Sequence, residues 1–261
     1  MLVDLLSAKS CPKTCEWDKI HWNSREKQEK SYRTTWWAPQ SAEWWIGVLF
    51  AIGAILFGLG AFPTYSKIVG NLYNNITFFT GSLFFTSAAF LQYLKTINSP
   101  QKLNNASNHI FSDKRQVKIW IFSPLRIDWW SASVQLIGAI LYNMSTFYTI
   151  HTILTATLVD DIVWTPDAFG SICFLISSSL AWLGFNHKLF WWEPRNISWW
   201  INGVNFLGSL SFGISALFAY VMPSTGLPEN ITFMNLGTFI GAILFFIGAI
   251  LFLLERTQKN R

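Results

Sequence analysis

Charge is scarce in this chain. Asp, Glu, Lys and Arg make up 13% of its 261 residues, against roughly 25% in an average soluble protein. Scarcity becomes absence over six runs, 44–66, 68–94, 129–159, 168–187, 196–228 and 230–254, which contain none of the four. So few charges cannot cover the apolar surface of a soluble fold that is 51% hydrophobic. Groups that serve proton relays, ion pathways and voltage sensors are missing from all six runs, which argues against an ion-coupled pump. Cysteine is also rare: Cys11, Cys15 and Cys173 give no disulfide framework. Cys11-x3-Cys15 with His21 matches no common zinc spacing and lacks a fourth ligand, so no metal is expected. His151 and His187 fall near opposite membrane faces and form no joint site. There is no His-Glu-x-x-His, Gly-x-Ser-x-Gly or P-loop pattern. No catalytic residue, cofactor or enzymatic activity is expected. The first residues, Met1 to Leu6, carry an Asp and no Lys or Arg, so they lack signal-peptide anatomy and the first apolar helix is expected to direct its own insertion.

What is present is a repeat. Trp37-Ala38-Pro39, four residues, Trp44-Trp45, seven residues and Gly53 recur as Phe122-Ser123-Pro124, Trp129-Trp130, Gly138 and as Trp192-Glu193-Pro194, Trp199-Trp200, Gly208, with identical spacing. Each copy opens a run of the length, about 20 residues, that crosses a bilayer core. Intervening runs repeat as well: Gly81-Ser82-Leu83-x-Phe85, Gly170-Ser171-Ile172-x-Phe174 and Gly241-Ala242-Ile243-x-Phe245, followed seven residues after each glycine by Ala88, Ser177 and Gly248. Small residues on one face let helices approach closely in lipid. Ala54-x3-Gly58 and Ser209-x3-Gly213 suggest the same seam on the odd helices.

The expected fold class is therefore an all-α membrane protein of six transmembrane helices near 44–62, 76–94, 129–150, 168–186, 199–221 and 233–254. They are arranged as three repeated two-helix hairpins. Residues 1–35 form a tail, 36–95 the first hairpin, 96–119 a loop, 120–187 the second hairpin, 188–255 the third, and 256–261 a short tail. Lys and Arg set the orientation. Of 19, 18 fall before helix 1, between 2 and 3, between 4 and 5, or after 6. Positive charge faces the cytoplasm, so both termini are expected there and the protein is expected in the cell membrane as a multi-pass chain. The net charge of +5 is then matched by anionic lipid headgroups and calls for no nucleic acid. Asp160 and Asp161 fall in an external loop.

Trp36, Trp37, Trp44, Trp45, Trp129, Trp130, Trp191, Trp192, Trp199 and Trp200 collect at the cytoplasmic boundary. Indole has an apolar body and one donor, which suits the headgroup level. At membrane depth the polar concentration is Gln135, Asn143 and Asn205 with Ser177, Ser178 and Ser179. Gln135 and Asn143, eight residues apart, are expected close to one helix face. Interhelical hydrogen bonding is the first reading of this patch and a solute site the second. Two functional classes follow. One is a non-enzymatic membrane protein that binds a lipid or small neutral solute, or serves as an assembly partner. The other is a facilitative transporter or channel for a small uncharged solute.

Asp128-Trp129-Trp130-Ser131-Ala132-Ser133-Val134-Gln135, the stretch Trp164-Thr165-Pro166-Asp167-Ala168-Phe169-Gly170-Ser171-Ile172-Cys173-Phe174-Leu175, and Asn235-Leu236-Gly237-Thr238-Phe239-Ile240-Gly241 resemble multi-span prokaryotic membrane proteins built from YrhK-like hairpins. The similarity covers roughly residues 42–255. It implies a fold and a membrane, and no activity.

Overall fold

The computed structural model describes residues 37–99, 118–150, 156–186, 192–222 and 224–258. The tail over 1–35, Trp36, His151, His187, Trp191 and most of the 96–119 loop lie outside the described residues. Six long helices carry the fold: α1 Ala42–Ala61, α2 Pro63–Asn98, α3 Ile127–Tyr148, α4 Thr165–Asn186, α5 Ile197–Phe218 and α6 Ile231–Gln258. Each packs chiefly on its neighbours in sequence, and α6 closes onto α1, so the six form a ring. Four stretches are long and apolar enough to cross a membrane: Ala42–Ala61, Asp160–Gly184, Ile197–Phe218 and Ile231–Glu255. That is the mark of a membrane protein.

Three departures from the sequence reading have local causes. Helix α2 starts at Pro63 rather than near residue 76, because extended Phe62 precedes a proline at the first helical position, where no N–H is needed. It then kinks at Gly70, whose φ of +79° is open to glycine and costly for other residues. Asp160 and Asp161 are not in a loop. They lie in a π-helical turn, Asp160–Trp164, that continues the single turn Ala156–Val159 and runs into α4, and Asp160 Oδ1 accepts the Val221 N–H at 3.0 Å. Helix α5 stops at Phe218, after which Val221–Met222 pairs antiparallel with Leu227–Pro228. The all-α expectation thus acquires one small two-stranded ribbon.

The tryptophan-proline motif folds the same way in all three places. Proline occupies the second position of a turn, closed by Ser41 N–H on Ala38 O at 3.0 Å, Arg126 N–H on Ser123 O at 3.1 Å and Asn196 N–H on Glu193 O at 3.0 Å. Those three donors are the residues just before α1, α3 and α5, and all are extended. The second tryptophan of each pair then reaches back across the turn. Trp45, Trp130 and Trp200 Nε1 donate to the carbonyls of Pro39, Pro124 and Pro194 at 2.9, 3.0 and 2.9 Å. The first tryptophan of each pair is buried, edge-on to the second and to the aromatic before the proline. One ring packs the helix end and the other latches the turn. Trp130→Phe should cost about 0.5–1.5 kcal/mol, the worth of one hydrogen bond, and Trp129→Phe should cost more because it is buried and also donates to Ile121 O at 2.8 Å. Thermal unfolding followed by circular dichroism would check the order of the two.

The glycines that open each repeated run meet in pairs. A Cβ built at Gly53 would lie 3.0 Å from Gly81 O, at Gly138 3.0 Å from Gly170 O, and at Gly208 3.4 Å from Gly241 O. Backbone therefore touches backbone where α1 crosses α2, α3 crosses α4 and α5 crosses α6. The seam is not the one expected at Gly58 and Gly213. A Cβ at Gly213 meets nothing within 4 Å, and one at Gly58 only Ala242 Cβ at 3.7 Å.

Candidate functional site

One turn beyond each glycine of the crossing pairs stands an aromatic residue, and these six rings fill the centre of the ring of helices. Phe57, Tyr142 and Phe212, from the odd helices, meet edge to face at 6.1, 5.9 and 5.7 Å between centroids. Phe85, Phe174 and Phe245, from the even helices, pack over them, with Phe245 at 5.7 Å from Phe85, 6.2 Å from Phe174 and 5.5 Å from Phe212. Edge-to-face contact is the favoured aromatic geometry and adds to simple area burial. The void among these rings is only about 10 Å³. Two aromatic layers thus close the middle of the molecule.

On the side of the tryptophan motifs, a cavity of about 430 Å³ stands on this floor. That volume lies in the range of small-molecule sites. Phe50, Phe85, Phe174 and Phe245 form its base, and Gln135, Asn202, Asn205, Ser177, Ser178 and Ser209 its polar wall. Glu255 is ten residues above Phe245 on α6, about 15 Å along the helix, and marks the mouth with Gln92, Lys95 and Asp128. The position five residues beyond each Trp pair is Phe50, Gln135 and Asn205. All three line the cavity, so at this repeated position one hairpin presents a phenylalanine and the other two an amide.

The wall is held by interhelical hydrogen bonds. Ser131 Oγ donates to Ser177 O at 3.0 Å and Ser177 Oγ to Ser131 O at 2.8 Å, a reciprocal clasp between α3 and α4. Ser177 Oγ also approaches Gln135 Oε1 at 3.4 Å. Ser178 and Ser179 Oγ turn back on Leu175 O at 3.1 and 2.7 Å. Beyond the Ser177 contact, the side-chain amides of Gln135, Asn205 and Gln92 have no hydrogen-bond partner among the described residues. Asn205 Oδ1 lies over Gly248, where a Cβ would come within 2.4 Å of it.

Ionised groups at the mouth are engaged. Lys95 Nζ pairs with Glu43 Oε1 at 2.7 Å and sits 5.6 Å from the Phe252 ring centre. Arg126 grips both oxygens of Asp128, at 3.0 and 2.5 Å, and donates to Thr96 O at 3.0 Å. The Asp128 hydrogen bond raises the Arg126 pKa above its already high ordinary value, so the cation is permanent. Ser198 Oγ donates to Glu255.

Of the six polar residues singled out in the sequence, Gln135, Asn205, Ser177 and Ser178 line the cavity, while Asn143 and Ser179 are not on its wall. Asn143 Oδ1 is buried without a hydrogen bond. Among the described tryptophans, Trp37, Trp45, Trp130, Trp192 and Trp200 are exposed, and Trp44, Trp129 and Trp199 are buried. Sequence reasoning missed Gln92, Asn202 and the mouth charges. Register held the signal: Glu43, Asp128 and Ser198 each precede a Trp pair, while Lys95, Gly184 and Glu255 each lie fourteen residues beyond an even-helix glycine.

Fold and site define a helical membrane protein with an internal cavity reached from one end. No family model, curated protein or solved structure matches the chain.

Proposed function

We propose that this is a non-enzymatic, six-span protein of the cell membrane, built from three repeated helical hairpins with both termini cytoplasmic, that binds a small uncharged ligand in the central cavity. One observation carries it: the cavity ends blindly on aromatic rings and offers above them the amide of Asn205, without a hydrogen-bond partner among the described residues, and that of Gln135, engaged only by Ser177 at 3.4 Å. Helices α2 and α3 are more polar than the other four, yet they suit a bilayer because many of their hydroxyls are hydrogen-bonded, although the buried Tyr93 Oη and Ser133 Oγ have no partner among the described residues. Thr77, Thr80 and Ser87 Oγ return to carbonyls four residues back, Ser82 and Thr146 pair at 2.9 Å, and Thr86 donates to Ala139 O at 3.2 Å. Hydroxyls bonded within the helix present little polarity to lipid. A YrhK-like hairpin fold is part of the same proposal. Exposed tryptophans beside the latched turns support a membrane boundary at that end, with lipid as their partner, and the excess of Lys and Arg on the same side is what makes it the cytoplasmic one in this reading.

Native mass spectrometry of the protein extracted in its own lipids tests the reading. A discrete adduct, lost in Gln135→Leu/Asn205→Leu with folding unchanged, is expected. Proteoliposomes should pass small neutral solutes no faster than protein-free vesicles. Flux that the same double variant abolishes would replace binding with facilitated transport.

A further inference from the structure

We propose that the cavity takes an uncharged, planar ring compound bearing amide-type N–H and C=O groups on its edge, seated on the phenylalanine floor and read by Gln135 and Asn205. The inference rests on the ligand-binding reading above and names the ligand's chemistry.

The floor sets the first requirement. Phe50, Phe85, Phe174 and Phe245 present only ring carbon to the cavity, and Phe50 is already edge-on to Phe85 at 5.4 Å. A flat apolar ring gains aromatic contact there beyond plain area burial. A polyol would leave hydroxyls stranded against the same surface. The wall sets the second requirement. Each carboxamide offers one acceptor oxygen and two donors in a plane, and its natural complement is another edge with acceptor beside donor, as when Asn or Gln grips the edge of adenine. An acyl chain has no hydrogen-bonding edge and would cover these amides without pairing them. The mouth sets the third. Lys95, Arg126, Asp128 and Glu255 already have partners, so a charged ligand would have to break a pair to find its counter-ion. Gly248 adds a shape condition, because only a residue without Cβ leaves Asn205 Oδ1 where it stands.

The test is titration calorimetry on the full chain in lipid nanodiscs with benzamide and uracil as probes, against toluene, benzoate and glucose. Benzamide and uracil should bind, and toluene and benzoate should bind at least about tenfold more weakly, the equivalent of one lost hydrogen-bonded pair. Gln135→Leu and Asn205→Leu should each weaken benzamide by about tenfold, while Asn143→Leu, off the cavity wall, should not. Gly248→Ala keeps both amides but displaces one, and should weaken binding comparably. If either Leu variant fails to fold by tryptophan fluorescence, Gly248→Ala decides. Benzamide affinity unchanged by Gly248→Ala and the Leu variants, or tighter binding of glucose or benzoate, overturns the proposal. A native-lipid adduct that persists while no ring compound binds would sink this inference and spare the binding reading. Neither adduct nor probe binding would sink both.

Discussion

Phe57→Ala is expected to destabilise the protein by about 2–4 kcal/mol and to open a path between the cavity and the opposite face. The estimate lies below the ~3–5 kcal/mol of Phe→Ala in water-soluble cores, because lipid is as apolar as the protein interior and the transfer term largely cancels. Lost packing remains. Phe57 is 5% exposed and touches four rings, Phe78 at 5.6 Å, Phe85 at 5.5 Å, Tyr142 at 6.1 Å and Phe212 at 5.7 Å. Deleting it removes one of three members of the lower aromatic layer and the support of a floor ring. Leu59, on the outer surface, provides the control, since Leu59→Ala should change stability by about 0.5 kcal/mol or less. Steric-trap unfolding in bicelles gives the energy, and glycerol flux into proteoliposomes gives the path. A variant that remains both stable and tight would show that the aromatic layers are not the barrier.

How far the sequence foretold this arrangement depends on whether a feature recurs or merely lies nearby. The tryptophan-proline turns were legible because three copies at one spacing reveal a shared local geometry, and their hydrogen bonds agree to within 0.1 Å. Helix faces were harder. Gln135 and Asn143 are eight residues, about 12 Å, apart along α3, which sets Asn143 beside Tyr142 of the lower aromatic layer, past the floor on which the cavity ends. Ser177 and Ser179 differ by about 200°, and three consecutive serines cannot share a face. The same arithmetic removes Gly58 and Gly213 from the seam, since each is five residues, about 140°, from the glycine that makes the crossing. The long reach of α2 to Pro63 was hidden because Lys67 interrupts the apolar run, although a proline at the first helical position was a readable start signal.

Gly138→Leu is expected to cost more than about 3 kcal/mol or to prevent assembly, beyond the ~1–3 kcal/mol of ordinary overpacking. Its Cβ would stand 2.9 Å from Cys173 Cβ and 3.0 Å from both Gly170 O and Phe174 Cδ1. Two of those atoms are backbone or fixed to it, so the clash can be relieved only by separating α3 from α4, which would also pull apart the Ser131–Ser177 clasp. Alanine scanning of the seam should be graded by this geometry. Gly138→Ala should cost about 1–3 kcal/mol, whereas Gly208→Ala should cost less, its Cβ contacts being 3.4 to 3.5 Å. Gly213→Ala meets nothing within 4 Å and should be neutral or slightly stabilising, because alanine exceeds glycine in helix propensity by about 0.8–1.0 kcal/mol in water. Unfolding free energies for the three alanine variants and Gly138→Leu in one lipid system separate the two effects. Equal responses at 138, 208 and 213 would mean that helix propensity, and not the close backbone crossing, governs these glycines.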